Sequence, residues 1–206
     1  PCAPRPTNIE VQSARATLAE GLPQKPIVFD SWQSPAAPGD WAYISIERDA
    51  SASLSYCRIA HAGTWSDVSL VIGASDVSVT NTVVRQGQGN GIRIENGGIT
   101  PTLQDVVVRD CSGWGIWQQT VNMAPTYSNI ALGGNTGGDA ILISAPTASD
   151  TVTQAQHWRF AGAPYALSGW FQFVAGIGLT IDPGVVVQFA PAPAYVQTYI
   201  EMKAGC

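Results

Sequence analysis

Charged side chains are scarce in this 206-residue chain, in which Asp, Glu, Lys and Arg together make up 12% of the residues. This is about half the share found in an average soluble protein, and it excludes a charged coiled coil or a long solvent-exposed helical bundle. The ten cations are spread thinly, and the only lysines are Lys25 and Lys203. Since no basic patch is available to neutralise a phosphate backbone, we expect no nucleic-acid partner.

A long apolar run is also missing. The longest apolar stretch, residues 170–196, is interrupted by Gln172, Asp182 and Pro183, so the chain is not expected to span a membrane. The chain opens at Pro1 without a charged and apolar signal peptide, and we expect a mature product or a fragment. The 21 glycines and 14 prolines leave little room for long helices.

What the sequence does contain is an internal repeat of 24 residues. Four copies align in register, and the earliest, residues 54–63, fits at a spacing of 25. The aligned columns of the later three copies are Ser78, Thr102 and Thr126; Val79, Leu103 and Tyr127; Asn81, Asp105 and Asn129; Val84, Val108 and Leu132; and Gly89, Gly113 and Gly137. The repeat is clearest over residues 54–145.

Each repeat contains two or three short β-branched runs separated by Gly, Asn or Ser turns, and these runs are too short for helices. A single copy cannot bury its apolar face, so stacked copies must build the core together. A leucine-rich repeat would show spaced leucines and a helical half, and a propeller blade needs about 40 residues. The pattern predicts an all-β fold, a parallel β-helix (β-solenoid) with about 24 residues per turn.

The column of Asn81, Asp105 and Asn129 has a structural interpretation. Asn and Asp tolerate left-handed backbone and bond to nearby main chain, so they suit a tight corner between strands. We expect their side chains to form a ladder along the solenoid axis. The alternative is three independent turn residues.

Several phrases outside the repeat carry a family resemblance. In chain order they are PIVFDS at 26–31, PGDWAYISI at 38–46, LSYCRIAHAG at 54–63, APYALSG at 163–169 and LTIDPGVVVQF at 179–189. This string resembles the secreted bacterial right-handed parallel β-helix repeat proteins, whose turns carry PIVF-, GDW- and LTIxPGVVVxF-like phrases. The resemblance implies a right-handed helix and an extracellular, cell-surface location; members of the group include adhesins, surface-layer parts, stalks and carbohydrate-active enzymes.

The order of these phrases departs from the family, where the LTIxPG phrase usually precedes the PIVF phrase. We therefore expect either a slice of a longer protein or a subunit continued by another. The predicted organisation is an N-terminal arm at 1–8 and a single β-helix domain at 9–206. A short helix around Ala14–Glu20 competes with a strand interpretation of the opening segment.

Residues with catalytic or metal-binding chemistry are dispersed. The repeat places no two acids in one column, so no carboxylate pair is available for acid–base work and no catalytic residue is assigned. His61 and His157 are about a hundred positions apart without a Cys or acid at metal-ligand spacing, which favours corner or surface histidines. No metal site or cofactor is predicted; calcium at a turn near Asp49 or Asp67 stays open.

Two of the seven tryptophans, Trp114 and Trp117, flank the short strand Gly115–Ile116. We expect them on opposite sides of that strand, with at least one facing outward. Exposed aromatic rings on a flat β surface stack on sugars or seat a partner. Burial as core plugs is the alternative, since Trp is mostly buried on average.

The four cysteines generate a further expectation. Cys57 and Cys111 fall in different columns two turns apart, too far for a bridge between them. In an oxidising setting we predict a disulfide between subunits from Cys2 or Cys206, either to each other or to Cys57 or Cys111 of a neighbour. An internal bridge from the N-terminal arm to Cys57, and free buried thiols at Cys57 and Cys111, are the alternatives.

These features favour a self-assembling structural protein, a filament or surface-stalk subunit that stacks head to tail, because we recognise no cap over the strand edges at either terminus. A polysaccharide-binding adhesin module that uses Trp114 and Trp117 is the second hypothesis. A polysaccharide lyase or hydrolase is the third and the least favoured. The expected partners are copies of the same chain and, in the second case, a polysaccharide.

Overall fold

Parallel strands wind into a solenoid of about six turns, with about 24 residues in each turn. The computed structural model describes residues 7–190 and 197–204, with the side chains of 146–148 left out. Over these residues the chain contains no helix, and therefore none long and apolar enough to cross a membrane. The predicted all-β parallel solenoid and its period are confirmed.

The strands are short, most of them three to five residues long. In chain order they are β1 (Ile9–Val11), β2 (Ala16–Glu20), β3 (Ile27–Phe29), β4 (Ile44–Ile46), β5 (Ser51–Ser55), β6 (Cys57–Ala60), β7 (Val68–Ile72), β8 (Val77–Thr80), β9 (Val83–Arg85), β10 (Asn90–Ile94), β11 (Thr102–Gln104), β12 (Val107–Arg109), β13 (Trp114–Gln118), β14 (Thr126–Ser128), β15 (Ala131–Gly133), β16 (Gly138–Val152), β17 (Gln156–Trp158), β18 (Tyr165–Phe173), β19 (Leu179–Ile181), β20 (Val187–Phe189) and β21 (Tyr199–Met202).

Three sheets run along the solenoid axis, and each of the first five turns, from β1 to β15, adds one strand to each of them. The first sheet has nine strands in the order β1-β4-β7-β10-β13-β16-β18-β20, with β21 also paired to β18. The second has the order β14-β11-β8-β5-β2, and the third β15-β12-β9-β6-β3. A separate two-stranded sheet joins β17 and β19. Successive turns from β1 to β15 therefore pair through the main chain on three sides.

The strand register matches the columns of the sequence repeat. Val79, Leu103 and Tyr127 are direct partners across β8, β11 and β14. In the third sheet Val84 pairs with Val108, which pairs with Leu132. These pairs confirm the predicted register, in which residues of one column face the same side of the solenoid.

The core is a column of aliphatic side chains that point inward from all three sheets. Ile92, Ile94, Leu103, Val108 and Ile116 are each fully buried in it. Along β5 and β8, buried and half-buried residues alternate, because successive side chains of a strand point to opposite faces of the sheet. Towards one end the interior becomes aromatic and is filled by Phe171 and Phe173.

Left-handed residues turn the corners between the second and third sheets. Tyr56, Asn81, Asp105 and Asn129 occupy equivalent positions and have φ values of 49°, 48°, 53° and 51°. This agrees with the corner role expected of the Asn/Asp column, since these side chains tolerate such a backbone. Asn129 Nδ2 donates to Asp105 Oδ1 at 2.5 Å; among the described residues no side-chain bond joins Asn81 to Asp105, so the ladder covers one step.

A glycine column closes a second corner. The N–H of Gly113 donates to the carbonyl of Gly89 at 2.7 Å, and the N–H of Gly137 donates to Gly113 at 2.9 Å. A Cβ atom on Gly137 would lie 2.6 Å from the carbonyl carbon of Gly113, closer than real Cβ contacts allow. Glycine is needed here because successive backbones approach one another directly.

The opening segment forms strands. Residues 16–20 pair as β2 with β5, in a register that sets Ala19 against Leu54. The alternative of a short helix around Ala14–Glu20 is wrong, because a helix at this position would remove the strand that extends the second sheet.

The corner column yields a prediction at Asp105. Its hydrogen bond from Asn129, followed by that from Gln104, lowers the pKa of the Asp105 carboxyl below its ordinary value of 3.8. A lowered folded-state pKa stabilises the fold above the ordinary pKa and is lost as the pH falls through the folded-state value. The difference in melting temperature between the wild type and Asp105→Asn should therefore shrink below about pH 4.

Thermal unfolding between about pH 3 and pH 7 tests this expectation. Asp105→Ala is the second variant, and we expect it to melt about 2–4 °C below Asp105→Asn, because alanine disfavours the left-handed backbone. A melting difference for Asp105→Asn that stays constant over the whole pH range would contradict the assigned role.

Candidate functional site

The outer face of the first sheet carries the tryptophans singled out in the sequence. Trp114 and Trp117 are both half-buried and pack on the same small outer cluster of Ala140, Leu142 and Ala166. The expectation that they lie on opposite sides of their strand is wrong. The neighbouring strand β16 is irregular here, since three residue steps from Gly138 to Ile141 oppose the two steps from Trp114 to Ile116.

Trp117 is held in a fixed orientation beside a cleft of about 450 Å³. Its indole N–H donates to Ser144 Oγ at 2.7 Å. The cleft is lined by Asn96, Gly97, Trp117, Gln119, Thr120, Ser144 and Ala145. A half-exposed ring beside amide and hydroxyl groups offers both stacking and hydrogen bonding to a polar ligand.

A buried carboxylate closes one side of this region. Asp150, 8% exposed, accepts hydrogen bonds from Thr120 Oγ1 at 2.5 Å, from the Val121 N–H at 2.9 Å and from Asn122 Nδ2 at 3.0 Å. Three donors satisfy its charge, so it ties the segment after β13 to β16. The repeat pattern does not predict this role, because Asp150 lies beyond the regular repeats.

Both histidines bond to an aspartate. His61 Nδ1 lies 2.6 Å from Asp30 Oδ1, and His61 is only 8% exposed. His157 Nε2 lies 2.6 Å from Asp182 Oδ1 on the surface. The sequence repeat does not predict these pairs, because each joins residues that are not direct register partners. No three His, Cys, Asp or Glu side chains within the described ranges come close enough to share a metal ion.

Asp49 and Asp67, the positions left open for calcium, are corner residues with φ values of 63° and 49°. Their conformation accounts for an aspartate at each place without a ligand, since Asp tolerates left-handed backbone.

Cys57 and Cys111 are free thiols, each 1% exposed in the core. They do not bridge to one another, as predicted from their columns. Burial raises the pKa of both thiols and thus keeps them protonated. Their burial leaves neither accessible to a neighbouring subunit. Cys2 and Cys206 lie outside the described residues, so a disulfide between these two stays a prediction.

The two ends of the solenoid expose side chains that face inward elsewhere. At one end Ile9, which pairs with the buried Ile44, is 38% exposed. At the other, the inward-facing positions Ile181, Phe189 and Met202 are 44%, 58% and 47% exposed. Within the described residues the outer main-chain edges of β1, β2 and β3 have no strand partner. In the described part of the chain, both ends of the solenoid therefore combine exposed apolar side chains with strand edges.

Comparison with known proteins found no matching family model, no similar curated protein and no similar solved structure. The parallel β-solenoid is thus established by the fold itself. The resemblance to secreted bacterial β-helix repeat proteins remains an interpretation of the sequence phrases.

Burial of the cysteines leads to a prediction about their reactivity. We expect Cys57 and Cys111 to react with a thiol reagent at least about a hundredfold more slowly in the folded protein than in denaturant, because only local unfolding exposes them. Mass spectrometry of peptides after timed labelling measures each site separately. Labelling of either residue at the unfolded rate would contradict its place in the core.

Proposed function

We propose that the protein is an extracellular structural β-solenoid whose copies associate end to end. The observation that carries this proposal is the character of the two ends, which combine unpaired strand edges with exposed apolar side chains. A β edge is a template for pairing with another chain, and contact between two different surfaces of one subunit generates an open filament. No catalytic role is assigned in this proposal.

The end surfaces have complementary chemistry. One presents the edges of β1, β2 and β3 with partly exposed Ile27 and Phe29 between them. The other presents Ile181 and Phe189, whose register partners Trp158 and Leu167 are fully or almost fully buried. Stacking the ends would continue the core by one turn and bury these side chains, which stabilises the contact through the hydrophobic effect.

The extracellular setting in this proposal rests on the family resemblance and on the low charge of the chain. A disulfide between Cys2 and Cys206 of adjacent copies would fit the same arrangement, since such bonds persist in oxidising compartments.

A charge placed on the apolar end tests the proposal. We expect Phe189→Asp to raise the dissociation constant for self-association about tenfold or more, since it removes a buried aromatic contact and adds a charge to the interface. Analytical ultracentrifugation over a concentration series measures the constant, and electron microscopy shows whether filaments form.

Gln188→Asp is the matched control. It adds the same charge in the same strand. Gln188, however, is the register partner of Ala166, which belongs to the outer cluster, so its side chain lies on the outer face of the first sheet and not on the core side. Self-association of this variant should equal that of the wild type. A wild-type protein that stays monomeric at high concentration, or equal effects of the two variants, would overturn the end-to-end proposal.

A polysaccharide-binding role is a second candidate, favoured by the placement of Trp117. Its ring is half-exposed on the outer face and fixed by Ser144, and the adjoining cleft offers the amides of Asn96 and Gln119. Sugar rings combine apolar faces with hydroxyl groups, so they suit an aromatic ring flanked by polar side chains.

On a glycan array, we take any glycan that binds the wild-type protein. We expect Trp117→Ala to lower the affinity for that glycan about tenfold or more. Trp65→Ala serves as the control, because Trp65 is 68% exposed but lies in the loop between β6 and β7. Wild-type protein that binds no glycan, or equal loss in both variants, would eliminate this candidate.

A further inference from the structure

The main-chain ladder is interrupted at one place inside the solenoid. The first sheet runs through from β13 to β16, but the second sheet stops at β14 and the third at β15. The next strand on that side, β17, pairs only with β19 of the following turn. A slot therefore separates β14 from β17, and its cavity of about 170 Å³ is lined by residues 123–127 and 155–159.

Main-chain groups of both strands point into this slot. In a parallel ladder, successive residues direct their N–H and C=O groups to alternate sides. The Thr126 N–H donates to the Pro101 carbonyl, and the Ser128 carbonyl accepts from the Asp105 N–H. The main-chain N–H and C=O of Tyr127, which lies between them, therefore point away from β11 and into the slot. Across the slot, the main-chain groups of Gln156 and Trp158 form their hydrogen bonds on the side of β19.

The remaining residue of β17, His157, thus directs its main-chain groups towards β14 in the same way. Within the described residues neither Tyr127 nor His157 has a main-chain partner across the slot. Unpaired N–H and C=O groups in this alternating pattern are what an additional β-strand would satisfy.

Aromatic rings form the floor of the slot and keep the two strands apart. The rings of Trp158 and Tyr165 stack with centroids 5.8 Å apart, and Tyr127 meets Tyr165 edge-on at 6.4 Å. All three residues are at most 6% exposed, so their faces are not available for stacking on a sugar. The buried Trp158 indole N–H has no partner in the described part of the chain, which marks this junction as incompletely satisfied.

The charges at the mouth of the slot are asymmetric. His157 is bonded to Asp182, whereas the exposed Arg159 makes no ion pair with any described residue. An acidic side chain that points outward from an inserted strand would meet Arg159. A side chain that points inward would meet the aromatic floor and must be small.

We propose that this slot binds an extended peptide segment, which inserts as a parallel strand between β14 and β17 with a small inward residue and acidic outward residues. Main-chain hydrogen bonds to Tyr127 and His157 would supply the affinity, and the aromatic floor and Arg159 the selectivity. This inference is independent of end-to-end assembly, since the slot lies between internal turns.

The test uses the full-length chain and the acetylated, amidated peptide Thr-Glu-Ala-Glu-Thr as the probe, with amide hydrogen exchange followed by NMR. Without peptide, the Tyr127 and His157 amides should exchange fast, whereas the paired amide of Leu103 should be protected. Saturating peptide should slow exchange at Tyr127 and His157 by about tenfold and leave Leu103 unchanged.

Two control peptides and one protein variant define the mode of binding. A peptide N-methylated at its central alanine lacks a main-chain donor, and a peptide with lysine in place of both glutamates has the wrong charge; both should bind several-fold more weakly. Arg159→Glu should reverse the preference between the glutamate and lysine peptides. Protected Tyr127 and His157 amides in the free protein, no added protection with the glutamate peptide, or equal binding of the N-methylated peptide would overturn the proposal.

Discussion

The structure depends on one constraint: every turn must offer its main-chain hydrogen bonds to the next turn in the same register. Most of the strands are only three to five residues long, and a strand of that length has little stability of its own. Stacking satisfies their polar groups on both sides and buries the inward column. Each corner must then repeat the same backbone, which is why left-handed residues recur at Asn81, Asp105 and Asn129.

The same constraint explains where candidate sites arise. Inside the regular stack the described strands have a main-chain neighbour on both sides, so binding chemistry is confined to the outer faces and to places where the stack stops. The ends beyond Ile9 and Phe189 and the slot between β14 and β17 are such places. The irregular register near Trp114 is a smaller case, and two tryptophan rings lie there on one outer face.

Much of the fold was predictable because it is periodic. Residues in one column share one environment, so their chemistry averages over the copies, and the pairing of Leu103 with Tyr127 follows from spacing alone. The local departures were not predictable. The outer cluster that holds both Trp114 and Trp117 occurs once, and so do the pairs of Asp30 with His61 and of Asp150 with Thr120. Periodicity carries no information about a contact that is not repeated.

The slot also determines how the molecule would respond to tension along its axis. Most neighbouring turns are joined through all three sheets, so a pulling force is shared among several rows of hydrogen bonds. Across the slot the rows of the second and third sheets are both missing, and the load falls on the first sheet, on the Ile130 N–H to Ala161 carbonyl bond and on the bonds of Asp150. A stretched solenoid would therefore open at this junction first, with Asp150 as a side-chain tether between the two halves.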